Sequence, residues 1–343
     1  MNITIKDVAK AANVSPSTVS RVIADSPRIS EKTKKKVRKV MEELGYHPNF
    51  IARSLANQST QVIGVVFPSS GNLAFQNPFF SEVLRGISEA AHEKHYGIQL
   101  TTGVTEEEIY QDVVRMVQGG RVDGVILLYS KIRDHVIDYL LEKDFPFVMV
   151  GKPYEHVDKI THVDNDNVEA ARETTEYLLK LGHQRIGFIG GDKHLMVTVT
   201  RLEGYKQALQ KANMPIRKEY IIHEDFLESG GKQGTLKLLS LPEPPTALIV
   251  TDDLIALGVL QTVLQYGLEV PRDLSVVSFN NALIARLANP PLSSVDIGIL
   301  DLGMEAVKQL IAKIENKREP VKRVIIPHEL IIRSSCASRD ENS

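Results

Sequence analysis

One cysteine, Cys336, stands among 343 residues. An internal disulfide is therefore excluded, and with it the disulfide-stapled secreted scaffolds. The opening residues Met1-Asn-Ile-Thr-Ile-Lys6 lack the apolar stretch of a signal peptide, and no apolar run is long enough to span a membrane. A cytoplasmic chain is the expectation. Catalytic signatures are absent too: there is no Gly-x-Ser-x-Gly elbow, no Walker loop and no dinucleotide fingerprint, Gly190-Gly191 being too short for one. His92 and His95 stand three apart, but no carboxylate or cysteine partner is evident, and such a pair is more often solvated than metal-bound. No metal and no cofactor are expected. Apolar residues, in contrast, are plentiful at 43%. That is ample for real cores, and the length favours more than one domain.

The first sixty residues are locally explicit. Thr4 and Asp7 have the spacing of a capping box, with a carboxylate near the positive helix end. Val8, Ala9 and Ala12 then share an apolar face. Asn13-Val14 breaks the run, Ser15 is a good N-cap, and Pro16 occupies a first helical position where its missing N–H costs nothing. The second helix is expected to reach Ile23, with Val19, Val22 and Ile23 inward and Ser17, Thr18, Ser20 and Arg21 outward. Ser30 caps a third helix carrying Val37, Val40, Met41 and Leu44, and Gly45 stops it. A helix, a tight turn and a second helix with a polar outer face form a helix-turn-helix, whose second helix enters the major groove of DNA.

Charge agrees. Residues 1–60 hold eleven Lys and Arg against five Asp and Glu, a net of +6, whereas the whole chain is −2, so the remainder carries −8. A basic head on an acidic body is the footprint of phosphate binding. Taken alone, Lys34-Lys-Lys36 reads as a solvated helix face; that reading does not explain its coincidence with the capped helices.

From residue 61 onward, apolar strand-like runs alternate with helical stretches. Val62-Ile-Gly-Val-Val-Phe67 precedes a helix over about Phe80–Lys94, followed by strands at Val125–Leu128 and Phe147–Val150. The pattern restarts at Arg185-Ile-Gly-Phe-Ile-Gly190, with a helix over about Arg201–Ala212, then strands at Ala247–Val250 and Leu274–Phe279. Continuous apolar strands with intervening helices mean parallel, doubly wound sheets. The restart is a pseudo-repeat: Val62-Ile-Gly-Val matches Arg185-Ile-Gly-Phe, and Leu84-Arg-Gly-Ile87 matches Leu202-Glu-Gly-Tyr205. Two similar α/β lobes with a cleft between them are expected.

Ligands of open α/β sheets bind at the carboxyl ends of strands. The informative residues gather there: Asn77-Pro-Phe-Phe80, Gly151-Lys-Pro153, Asp164-Asn-Asp166, Thr251-Asp-Asp253 and Asn280-Asn281. Arg201 is expected to open the second lobe's first helix, and Phe226 lies in Glu224-Asp-Phe-Leu-Glu-Ser-Gly230. Aromatic faces with planar hydrogen-bonding side chains suit a sugar, whose ring stacks and whose hydroxyls donate and accept. Singly, each residue has an ordinary structural reading. Asp164, Asp166 and Asp252 can be helix N-caps, Phe79 or Phe80 can be core, and Arg201 can pair with Glu203. As a set at strand ends they favour a ligand cleft. The same carboxylates would serve a sugar-active hydrolase, an alternative without a supporting motif.

The motifs Asp7-Val-Ala, Val14-Ser-Pro-Ser-Thr-Val-Ser-Arg-Val22 and Gly45-Tyr-His-Pro-Asn-Phe-Ile-Ala-Arg-Ser-Leu55 resemble those of the lactose-repressor (LacI/GalR) family of bacterial transcription regulators, over nearly the full length. Within that family the chain is similar to maltose-operon repressors. The resemblance implies a three-helix headpiece over residues 1–47, a hinge helix or linker over 48–60, and a two-lobed body like a periplasmic binding protein. One lobe would comprise 61–161 with 292–324, the other 162–291 with 325–336, leaving a polar tail at 337–343. It implies that Pro16, Ser17 and Arg21 lie against base edges, within a DNA-contacting set that also holds Thr4, Ser15, Thr18, Ser20, Asn49, Ala52, Leu55 and Ala56. Leu55 would be the wedge in the minor groove. In the cleft, Phe226 matches the family's stacking aromatic, Arg201 its ligand arginine and Asp252 its polar contact; Asp164 joins them from the strand ends. Phe79 and Lys152 would close the lobes. At Asn280 the family commonly has Asp, so one carboxylate acceptor is given up here. The implied partners are a pseudopalindromic operator, a small sugar such as maltose or a maltodextrin, and a second copy of the chain, with no membrane. A phosphorylated carrier protein acting as corepressor is the alternative effector. No leucine heptads follow Leu330-Ile-Ile-Arg333, so the tetramer-forming coil of some relatives is absent and a dimer is expected.

Overall fold

The computed structural model describes residues 3–46, 59–68 and 74–339. At the N-terminus α1 (Ile5–Ala11), α2 (Pro16–Ile23) and α3 (Glu31–Leu44) close on Val8, Ala9, Ala12, Val19, Val22 and Val37. Their boundaries follow local chemistry. The Asp7 carboxylate accepts the Thr4 amide at 2.9 Å and the Thr4 hydroxyl at 2.7 Å. Ser15 Oγ accepts the Thr18 amide at 3.1 Å. Gly45 ends α3 at φ 64°, a left-handed conformation that favours glycine.

The body contains two six-stranded sheets. The first joins β1 (Val62–Val66), β2 (Gly97–Leu100), β3 (Gly124–Leu127), β4 (Phe147–Val150), β5 (His162–Asp164) and β11 (Arg323–Ile325) in the order β11-β5-β4-β3-β1-β2, all parallel. The second joins β6 (Ile186–Gly190), β7 (Ile221–His223), β8 (Ala247–Val250), β9 (Ser275–Phe279), β10 (Ser293–Asp296) and β12 (Glu329–Ile331) in the order β12-β10-β9-β8-β6-β7. Only the β10–β12 pair is antiparallel. Helices α4 (Pro78–Glu93), α5 (Glu106–Gln118), α6 (His135–Glu142) and α12 (Ile299–Glu315) belong to the first lobe. Helices α7 (Asn167–Lys180), α8 (Met196–Lys211), α9 (Glu228–Leu239), α10 (Asp253–Gln265) and α11 (Leu283–Leu287) belong to the second.

Three boundaries differ from the sequence reading. The chain crosses between lobes around 165, 297 and 326–328, not near 161, 291 and 324, because β5 still pairs with β4 and β11, and β10 with β9. Each strand completes its ladder before leaving its sheet. Helix α8 begins at Met196, so Arg201 lies in its second turn and does not open it. No side chain caps α8; instead the Met196 amide donates to the Ser130 carbonyl of the other lobe at 2.9 Å. A cap supplied across the cleft leaves no local signal. The polar tail is also shorter than expected. The Ala337 amide donates to Ser275 Oγ at 3.2 Å and the Arg339 amide to the Leu181 carbonyl at 2.8 Å, so residues up to 339 are part of the second lobe.

The pseudo-repeat has a packing cause. A Cβ at Gly86 of α4 would lie 2.2 Å from the Leu300 carbonyl oxygen of α12, and one at Gly204 of α8 would lie 2.1 Å from that of Val168 of α7. Each repeated glycine is therefore a helix–helix crossing point, one per lobe. We predict that Gly204→Ala lowers stability by about 1–3 kcal/mol through overpacking. Unchanged thermal melting of the variant would refute this origin of the repeat.

Candidate ligand cleft and nucleic-acid interface

Between the lobes lies a cavity of about 610 Å³. The first lobe contributes Phe79, Lys152 and Asp164; the second contributes Arg201, Phe226, Asp252 and Asn280. All seven residues singled out in the sequence thus border one space. Their local settings differ. Phe79 and Phe80 meet edge to face at 5.2 Å, and both are half-buried. Phe226 follows β7, and its ring lies so close to Gly191 that a Cβ there would fall 1.8 Å from it. Glycine at 191 thus lets an aromatic face approach the backbone at the floor of the second lobe. Lys152 is exposed at the rim, and its carbonyl accepts the Ser130 hydroxyl at 2.5 Å.

The polar centre is a network around Asp252. Its Oδ1 caps α10 by accepting the Leu254 amide at 2.7 Å. Its Oδ2 accepts Asn280 Nδ2 at 2.8 Å and, from the opposite lobe, Asn77 Nδ2 at 2.9 Å. Asn77 is buried and caps α4 through its own Oδ1 at 2.9 Å from the Phe79 amide. Asn280 is held at φ 102°, a left-handed conformation that Asn tolerates better than most residues. Its amide can donate to Asp252. A carboxylate at 280 would instead set two like charges at hydrogen-bonding distance.

Beside this network, the buried Arg201 donates from Nε to Asn167 Oδ1 at 2.8 Å and from a terminal nitrogen to the Thr251 carbonyl at 2.7 Å. Its guanidinium stacks on Phe279, 4.2 Å from the ring centroid. Burial pulls its pKa down to about 10. The ordinary alternative, a pair with Glu203 or another surface acid, does not occur. Asn167 in turn donates to Asp164 Oδ1 at 3.1 Å. Asp164 ends β5 and caps no helix; Asp166 caps α7 by accepting the Glu169 amide at 3.1 Å. Burial raises Asp164 to about 6 and Asp253 to about 7, although Asp253 accepts the hydroxyls of Ser278 and Ser294.

Sequence reasoning placed Asn77 and Asn165 in strand-end segments without assigning either a role, and it missed Asn167. Asn77 carried a signal as an N-cap before Pro78. The other two only look like polar neighbours of Asp164. At the cleft mouth the lobes also touch through backbone: the Ile132 amide donates to the His194 carbonyl at 2.9 Å, beside the Met196–Ser130 bond.

On the headpiece, Pro16, Ser17, Ser20 and Arg21 are exposed along α2, and Thr18 is half-buried. Thr4 and Ser15 are exposed but engaged as caps. Asn49, Ala52, Leu55 and Ala56 lie outside the described residues. Lys34 is a correction: it is buried, with ion pairs to Asp25 and Glu31, both at 3.1 Å. It fastens the start of α3 to the preceding loop, while Lys35 and Lys36 remain exposed. Among the described residues no helix is long and apolar enough to cross a membrane, and no group of three side chains could hold a metal.

A helix-turn-helix head on a two-lobed body with an interlobe cleft defines a ligand-responsive DNA-binding regulator. Comparison with known proteins agrees. Residues 4–49 match the family described as bacterial regulatory proteins, lacI family, and residues 175–336 match a periplasmic binding protein-like domain. The HTH-type transcriptional regulator MalR of Streptococcus pneumoniae serotype 4 (strain ATCC BAA-334 / TIGR4) is 45% identical over 96% of this chain and 99% of its own length. The solved lac repressor dimer bound to operator and the anti-inducer ONPF is 26% identical, with a TM-score of 0.85, covering 98% of this chain and 100% of that one. The solved CelR–cellobiose complex is 30% identical, with a TM-score of 0.76, covering 97% and 99%. The chain belongs to the LacI family of bacterial regulatory proteins. It is a DNA-binding transcription regulator and not a sugar-active enzyme.

The cleft makes a pH-dependent prediction. Asp164 is pushed up to about 6 from an ordinary 3.8, so its neutral form is the one the folded state favours. Its contribution is fully present below pH about 4 and is lost as pH rises through about 6. Asp164→Asn cannot ionise. Its stability relative to the wild type should therefore rise between pH 4 and 7, by up to about 3 kcal/mol. Parallel stability-versus-pH curves for the two proteins would refute the assignment.

Proposed function

We propose that the chain is a cytoplasmic repressor of carbohydrate-use genes whose operator affinity is set by a neutral sugar, maltose or a short maltodextrin, bound between the lobes. The observation that carries this reading is the interlobe cleft itself, where Asn77 of one lobe and Asn280 of the other share the Asp252 carboxylate. Sugar hydroxyls can replace the Asn77 amide one for one, since each donates and accepts. Phe79 and Phe226 supply faces for stacking, and Arg201 is held rigid by three contacts. Charge favours a neutral ligand over a phosphorylated one. The lining holds Glu106, Asp164, Asp192, Asp225 and Asp252 against Lys131, Lys152 and Arg201. The similarity to MalR and to a regulator solved with cellobiose supports a glucose disaccharide.

On the DNA side, Pro16, Ser17 and Arg21 read bases from α2, with Thr4, Ser15, Thr18 and Ser20 on the same approach. The segment holding Asn49, Ala52, Leu55 and Ala56 contributes the hinge and the minor-groove wedge. A two-fold dimer matches a pseudopalindromic operator, and the similar lac repressor is solved as a dimer on operator. The exposed apolar side chains Leu264, Tyr266, Leu283 and Leu287 on and after α10 and in α11 support a second copy as partner. Sugar binding changes the angle between lobes, and with it the spacing of the two headpieces. Linkage requires that DNA and sugar alter each other's affinity by the same factor.

Two substitutions separate the parts. Phe226→Ala should abolish the response to maltose and leave operator binding intact. Arg21→Ala should cost about 1–3 kcal/mol on a selected operator and relax base choice. Calorimetry with maltose and gel shifts on selected and random duplexes read both. An Arg21→Ala variant that loses equally on both duplexes would reduce Arg21 to a phosphate contact. Undiminished maltose response in Phe226→Ala would end the stacking role.

A further inference from the structure

All three interlobe crossings meet at one side chain. Asn165, in the first crossing, is 3% exposed. Its Nδ2 donates to the Ile297 carbonyl of the second crossing at 2.8 Å and to the Ile326 carbonyl of the third at 2.9 Å. The Ile326 amide returns the contact, donating to the Asp164 carbonyl at 2.8 Å. Both amide protons of Asn165 are thus spent on the two other crossings, one each. No other side chain among the described residues bonds to two crossings besides its own. Its Oδ1 has no hydrogen-bond partner among the described residues, and the residue borders the cleft.

We infer that Asn165 is the positioning residue that converts ligand binding into lobe rotation: it accepts a ligand hydroxyl at Oδ1 while its Nδ2 pins the three crossings together. The chemistry requires an amide. Aspartate offers no donor to the carbonyls and would bury a charge against them. Serine is too short to reach both. A hydroxyl donating to Oδ1 polarises the same amide and strengthens its two N–H bonds, so an occupied cleft stiffens the joint about which the lobes turn. With the crossings pinned together they bend in concert. Unpinned, each can bend alone, and the lobe angle no longer follows the ligand. The Oδ1 part rests on the sugar reading above; the pinning part does not.

The test uses the full chain, maltose as probe, and a duplex that the protein itself selects from a random pool. Three quantities are read in the wild type, Asn165→Ala and Asn165→Asp: maltose affinity, the ratio of operator affinities without and with saturating maltose, and hydrogen exchange by segment. In Asn165→Ala the ratio should fall to within about twofold of one even at maltose saturation, while maltose-free operator affinity stays within about threefold of wild type. Exchange at segments 296–298 and 325–327 should rise together by about tenfold or more, with β1 and β6 unchanged. A merely structural role would lower the melting point and leave the ratio intact, and that result overturns the inference. Unchanged exchange at both segments overturns the pinning. If Asn165→Ala fails to fold, Asn165→Asp, which keeps the shape and loses the donors, carries the same readouts. A wild-type chain that binds no maltose sinks the sugar reading and the Oδ1 part with it, and the exchange rates still decide the pinning.

Discussion

A carboxylate out of reach of water must be compensated by donors, and in this chain the donors of Asp252 come from both lobes. One oxygen takes the helix amide of Leu254; the other takes the side-chain amides of Asn280 and Asn77. Burial raises its pKa, since it disfavours the charged form. Removing any donor leaves part of that desolvation uncompensated. The arrangement of the lobes is thereby coupled to the satisfaction of a single group. Anything that supplies a better donor than Asn77 can separate the lobes without loss, and anything that adds negative charge cannot. The same logic explains Asn at 280, where a second carboxylate would compete with Asp252 for protons.

The topology puts this compensation where it has mechanical effect. The parallel strands of both sheets end toward the cleft, so each crossing leaves a strand end, and Asn165 and Ile297 of two crossings border the ligand cavity. Cleft and joint are adjacent for that reason. The cores behind them are apolar and glycine-tight, as at Gly86 and Gly204, and respond as rigid bodies. Among the described residues, the polar contacts that span the gap include the Asn77–Asp252 bond, the backbone bonds of Ile132 and Met196, and the Asn165 joint.

What the sequence disclosed follows the range of each interaction. The headpiece was legible almost to the residue, because Thr4, Ser15, Pro16, Ser30 and Gly45 set helix ends through contacts within four positions. Strands were legible as apolar runs, and Asp164, Asp252 and Asn280 stood out at strand ends, whereas the ligand roles of Arg201, Phe226, Phe79 and Lys152 came from the family resemblance. The start of α8 was hidden, since its first amide is satisfied by Ser130 of the other lobe. Burial of Lys34 was hidden too: the run Lys34-Lys-Lys36 is uniform in sequence, and only the fold brings Asp25 and Glu31 to its first member. Asn77, Asn165 and Asn167 were obscured for the same reason. Each acts through a partner from 34 to 175 positions away, and a lone asparagine carries no period.

Asparagine recurs at each of these long-range contacts for a physical reason. In and behind the cleft, Asp164, Asp252 and Asp253 are held out of water, and among the described residues only one buried guanidinium, Arg201, balances them. Further cations would be costly to bury, and further carboxylates would repel. A neutral amide donates to a carboxylate with one end and accepts with the other, so it links charged groups without adding charge. Asn167 does this between Asp164 and Arg201, and Asn77 between Asp252 and the start of α4. A network of this kind is weak enough, bond by bond, for a neutral ligand with hydroxyls to exchange into it. A cleft closed by ion pairs would not yield to such a ligand. The amides thus reconcile two demands on the same space: buried carboxylates receive donors without further charge, and the closure remains reversible.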